Sequence, residues 1–200
     1  MEDSSESDVG EAARLELYWI PLGAGAQVVR LSGRLYEAAA ARVQQRPRRR
    51  LYHSALLAAT AAGATVVEMA PVPNARGAVE RGVVAEGPVG ARLLGRARIF
   101  RYEVRRWPGG LIPDLAFAVA SPVTITTDPG EVEALLDVLP LVPTPVWGRD
   151  EIGAGEMWNS NSVTSWALAT VGLVSAAGRP PDEGRAPGWD AGLAAARTGA

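Results

Sequence analysis

Trp158-Asn159-Ser160-Asn161-Ser162-Val163-Thr164-Ser165-Trp166 is the stretch that most constrains the fold. Two Asn-Ser pairs stand directly ahead of an apolar stripe made by Val163, Trp166, Ala167, Thr170 and Val171, and the spacing reads as a helix start with a buried face behind it. Ser and Asn there accept hydrogen bonds from the orphan amides of a first turn. The same amides favour developing negative charge, which makes this turn a good seat for a nucleophile. A capped helix without chemistry and a helix that presents a serine are both compatible with the stretch. The remaining residues have to decide between them.

Around this stretch the chain reads as one α+β domain. Leu15 to Leu22 alternates and carries Tyr18, Trp19 and Ile20, as a strand does. Val28 to Leu31 reads as a short strand, and a helix follows from Ser32 or Gly33 to Gln45, stopped by Pro47. Leu51 to Ala59 and Thr65 to Ala70 form a hairpin across a small-residue turn at Ala61 to Ala64. The segment from Asn74 to Gly82 is a polar loop, and Val83 to Ala85 pairs briefly. In Ile99 to Trp107, Phe100, Tyr102 and Val104 alternate with Arg101, Glu103 and Arg105, the mark of a half-buried strand. Asp128-Pro129-Gly130-Glu131 opens a helix with cap, first-turn proline and N3 acid in place, and Val132, Leu135, Leu136 and Leu139 are its stripe. Residues 1–13 read as a disordered acidic leader, 14–175 as the domain, and 176–200 as a Pro/Gly-rich tail that Trp189 pins to the body.

Composition narrows the chemistry. Cysteine is absent, which leaves no disulfide, thiolate metal site or cysteine nucleophile, and His53 is the single histidine. No carboxylates cluster around it with ligand spacing, so no metal and no cofactor is expected. Gly23-Ala24-Gly25 lacks the third glycine and the helix start of a dinucleotide site. A net charge of −2 argues against nucleic-acid binding by charge alone. Arg46-Pro47-Arg48-Arg49-Arg50, without interleaved aromatics, reads as a solvated connector rather than a contact for nucleic acid or an anionic surface. The acidic start is the opposite of a signal peptide and no apolar run is long enough to span a bilayer, so a cytoplasmic protein is expected. No internal repeat is visible.

A His on the first strand of a hairpin, a polar residue on the return strand, and an Asn-nucleophile pair opening a later helix form an ordered pattern. It resembles the circularly permuted papain-like proteins related to NlpC/P60 peptidases, particularly the lecithin:retinol acyltransferase-like and PPPDE-like groups. Tyr52-His53 matches the His strand, Val67-Glu68-Met69 the return strand, and Asn159-Ser160-Asn161-Ser162-Val163 the Asn-Cys segment of that family. The resemblance runs from Leu51 to Leu173, with Ser32 to Gln45 in a supporting-helix role. The whole chain is also similar to an uncharacterised bacterial family that carries the same Trp-Asn-Ser-Asn-Ser and Pro-Gly-Trp segments.

The resemblance implies a small antiparallel sheet with packed helices, and a hydrolase or acyltransferase acting on an amide or ester of a small molecule, peptide or lipid. Ser160 stands at the nucleophile position in place of the family's Cys, His53 is the base, and Glu68, where acyltransferase-like members carry a second His, is the orienter. First-turn amides stabilise the oxyanion, with Asn159 or Asn161 as further donors. An alcohol forms no stable ion pair with an imidazole and must lose its proton during attack. A carboxylate can steady the imidazolium, so Ser160, His53 and Glu68 form a triad by role. With the turn at Ala61 to Ala64, Glu68 shares the face of His53 but pairs nearer Leu57. Alternatively, Ser160 is only a cap, Glu68 forms a plain ion pair with Arg101 or an arginine of the connector, and the catalytically inactive fold binds a peptide or lipid in the old cleft.

Overall fold

The computed structural model describes residues 12–22, 42, 45, 47, 49–72, 80–112 and 114–199. The expected strand at 28–31 and most of the leader, of the helix ending at Gln45 and of the loop starting at Asn74 lie outside the described residues. Six strands form one antiparallel sheet: β1 (Arg14–Pro21), β2 (Tyr52–Thr60), β3 (Gly63–Pro71), β4 (Val83–Pro88), β5 (Arg101–Pro108) and β6 (Val123–Thr126), in the order β4-β5-β3-β2-β1-β6. Three helices, α1 (Pro129–Val138), α2 (Ser160–Thr170) and α3 (Trp189–Thr198), are found among the described residues. The fold is α+β. None of these helices is long and apolar enough to cross a membrane.

Period-two alternation sorts the strands onto two faces. Leu15, Leu17 and Trp19 of β1, Tyr52, Leu56 and Ala58 of β2, Val67 and Met69 of β3, and Tyr102 and Val104 of β5 belong to the main core. Val132, Leu135 and Leu136 of α1 and Val163, Trp166, Ala167 and Leu168 of α2 join them there. Asp128 caps α1 by accepting the Glu131 amide at 3.0 Å. A smaller cluster of Ile20, Ala55, Val66 and Ile112 occupies the other face.

Three segments differ from the sequence expectation. β5 begins at Arg101, because Arg98–Phe100 turns as a 3-10 segment and leaves Phe100 exposed. β6, only four residues long, carries too short an alternation to be read from sequence. The stretch expected as a tail carries α3, whose Ala191 and Ala195 are buried against α2. Trp189 does pin it: its ring lies 5.3 Å from that of Trp19. Gly192 sets the distance between α2 and α3, since a Cβ there would stand 2.1 Å from both the Ser162 carbonyl oxygen and the Ser165 hydroxyl.

The β2–β3 ladder runs only from Thr60↔Gly63 to Leu56↔Val67. Beyond it β3 continues beside β5 alone, pairing Glu68 with Arg105 and Pro71 with Tyr102. The strands fork, and the open edge of β2 needs other partners for its backbone. Asn161 supplies them. Its Oδ1 accepts from the Ser54 amide (2.7 Å) and the Ser54 hydroxyl (2.8 Å), while its Nδ2 donates to the Tyr52 carbonyl (3.0 Å). The amide of the same residue, Tyr52, donates to the Arg185 carbonyl at 2.7 Å. A side-chain amide and a returning loop thus complete the edge, and the first turn of α2 is drawn into the fork.

Candidate active site

The residue that caps α2 is Asn159. Its Oδ1 accepts the Asn161 amide (2.9 Å), and its own amide donates to the Ser162 hydroxyl (3.0 Å). Ser160 is therefore the first helical residue and its hydroxyl does no capping. That hydroxyl lies 2.8 Å from Nδ1 of His53. Both side chains are half-buried, at the mouth of the fork. With the ring proton on Nε2, Nδ1 accepts from the serine hydroxyl. Burial is the main influence on His53 and pushes its pKa down to about 4; the charge of Asp114 acts in the opposite direction. The imidazole is consequently neutral near pH 7, and in that tautomer the Nδ1 lone pair faces Ser160.

This shift carries a pH signature. The folded value lies below the unperturbed 6.5, so the unfolded chain takes up the proton more readily. The contribution to stability is complete above pH 6.5 and is lost progressively as pH falls toward 4. Near pH 5 the loss is about 2 kcal/mol. Urea unfolding near pH 7 and pH 5 should show this loss in the wild type and not in His53→Gln; equal losses in both would mean that His53 is solvated in the fold.

The other expected site residues are placed differently. Glu68 follows β3 away from β2 at the fork, and its Oε1 accepts from Arg105 Nη1 at 2.7 Å. Arg105 also donates to the fully buried Glu103, whose two carboxylate oxygens accept from Arg81 as well. Glu68 thus belongs to an ion network between β3 and β5, and the carboxylate felt at His53 is Asp114. The partner of Glu68 is neither Arg101, which pairs with Glu86, nor a connector arginine. Asp114 sits in the loop after β5 with left-handed backbone (φ 61°), a conformation that Asp tolerates better than most residues. The Val119 amide ties this loop to the Trp19 carbonyl, and the next β1 residue, Ile20, is opposite His53. No local sequence signal marks Asp114, because its place depends on that tertiary tie.

The side-chain amides expected as oxyanion donors serve the fold: Asn161 Nδ2 is fully committed and Asn159 Nδ2 commits one of its two hydrogens. Nδ2 of Asn159 donates to the Pro187 carbonyl (2.8 Å), and Nδ2 of Asn161 gives its two hydrogens to Tyr52 and Pro187. The amides of Asn161, Ser162 and Val163 are engaged with Asn159. Among the described residues the Ser160 amide has no acceptor, as expected for the first residue of a helix. The buried serines of α2 hold the last helix: Ser162 donates to the Gly188 carbonyl and Ser165 to the Trp189 carbonyl, each at 2.7 Å. Glu156 accepts from the Gly188 amide and from Arg185.

Comparison with family models, curated proteins and solved structures finds no match to this chain. Among the described residues no three His, Asp or Glu side chains are grouped so as to hold a metal ion.

Proposed function

We propose that this chain is a hydrolase or acyltransferase acting on an amide or ester bond, built on a permuted papain-like fold. Ser160 is the nucleophile and His53 the general base. The observation that carries the reading is the 2.8 Å approach of Ser160 Oγ to His53 Nδ1 by a serine that is not needed as a helix cap. Order along the chain supports it too, since the His strand precedes the nucleophile helix.

The chemistry follows from the geometry. Ser160 Oγ attacks the carbonyl carbon while its proton passes to Nδ1 of His53. The carbonyl oxygen becomes an oxyanion facing the Ser160 amide and the positive end of α2. The imidazolium is stabilised by the charge of Asp114, and then returns its proton to the departing amine or alcohol as the tetrahedral intermediate collapses to an acyl-serine. Water, or an acceptor alcohol or amine, completes the cycle with His53 again taking the proton.

A fluorophosphonate probe tests this directly. The wild type should be labelled on Ser160, His53→Ala should react on the order of a hundredfold more slowly, and Ser160→Ala should not be labelled at that position. Absence of wild-type labelling would leave the cleft as a binding site for a peptide or lipid.

A further inference from the structure

The loop from Val89 to Phe100 joins β4 to β5, and its base is closed by a hydrogen bond from the Val89 amide to the Phe100 carbonyl at 2.8 Å. It is built from two consecutive 3-10 turns, Leu94–Arg96 and Arg98–Phe100, neither of which buries a residue. Gly95 lets the first turn lie against the end of β4, because a Cβ there would stand 2.7 Å from the Pro88 side chain. The loop is thus a closed, braced unit. From it, Leu93 (68% exposed), Leu94 (43%), Ile99 (71%) and Phe100 (41%) project into solvent. Four large apolar side chains in so short a span need a partner.

The charges on the same loop say which kind. Arg92, Arg96, Arg98 and Arg101 interleave with the apolar residues, and residues 91–102 contain no acid. Arg92 pairs with Glu151 and Arg101 with Glu86, while Arg96 and Arg98 make no ion pair among the described residues. A protein partner receives an apolar patch best when charges are kept to the rim. A lipid surface accepts the alternation: apolar side chains enter the boundary between headgroups and acyl chains, and arginine stems reach back to the phosphates. We propose that this loop docks on an anionic lipid surface, with Leu93, Leu94, Ile99 and Phe100 inserted and Arg96 and Arg98 on lipid phosphates. Because the whole chain carries a net charge of −2, the attraction is local to the patch. The proposal is independent of the chemistry at Ser160.

Co-sedimentation of the full chain with vesicles tests it. Binding is expected to vesicles containing phosphatidylglycerol, with at least about tenfold weaker binding to phosphatidylcholine alone, and to weaken with salt. The Arg96→Glu/Arg98→Glu and Leu93→Ser/Ile99→Ser double variants should each lose about tenfold or more in affinity for phosphatidylglycerol vesicles while keeping the wild-type circular dichroism. Absence of wild-type binding overturns the proposal, as does binding that both double variants retain. A wild-type dimer that Leu93→Ser/Ile99→Ser converts to monomer, without vesicle binding, overturns it in favour of a second copy of the chain as the occupant.

Discussion

Asn161→Ala is expected to cost on the order of 3 to 5 kcal/mol of folding stability, far more than the loss of one hydrogen bond. Asn161 is almost fully buried, and its amide serves the Ser54 amide and hydroxyl, the Tyr52 carbonyl and the Pro187 carbonyl together. Truncation leaves these groups in the interior with no partner and removes the tie that draws α2 into the fork. Asn161→Asp should be no better: one carboxylate oxygen still accepts from Ser54, but the other faces two carbonyl oxygens it cannot bond. The urea midpoint of both variants checks the expectation. A loss within about 0.5 kcal/mol, the range of surface substitutions, would show that the edge of β2 is held by something else. An oxyanion donor would behave in the opposite way, losing activity with little loss of stability.

Ser160→Cys should turn the site into a thiol whose alkylation no longer follows an ordinary cysteine profile. A free thiol reacts with iodoacetamide as its thiolate forms, so the rate climbs through a pKa of about 8.5. At Ser160 the sulfur would meet a neutral imidazole and the positive end of a helix. The base takes the proton as sulfur attacks, and the rate should stay high well below neutrality, falling only where His53 itself becomes protonated. Near pH 6 the expected excess over a free thiol is on the order of a hundredfold. His53→Ala in the same background should restore the ordinary climb. A profile indifferent to His53 would mean that the contact does not activate the group at position 160, and the hydrolase reading would fall.

The sequence made one half of this site legible and hid the other. The Asn-Ser run announced a helix start because capping is local chemistry, and a His on a hairpin strand followed by a helix that opens on Asn-Ser is an order that survives reading from one end. The division of labour within the run was hidden. Asn159, Ser160, Asn161 and Ser162 are all competent to cap, and only the paired edges of β2 and of residues 185–189 decide which one is left over. Glu68 lies away from its expected place because the hairpin register stops at Leu56↔Val67, where the strands separate. A fork depends on what wedges into it, and that wedge, Asn161, lies far along the chain. The alternation of Phe100 with Tyr102 and Val104 predicts a strand, and two 3-10 turns override it.

The carbonyls of Pro187 and Gly188 that receive Asn159, Asn161 and Ser162 lie 26 to 28 residues beyond them. During synthesis the serine and the histidine are therefore both made before the segment that holds them in register. A nascent chain halted between Thr170 and Ala186 has Ser160 and His53 but lacks the carbonyls that receive Asn159, Asn161 and Ser162. On the proposed function, labelling of Ser160 is expected only once residues 187–188 are in place, and a chain ending before Ala186 should not react with the fluorophosphonate probe.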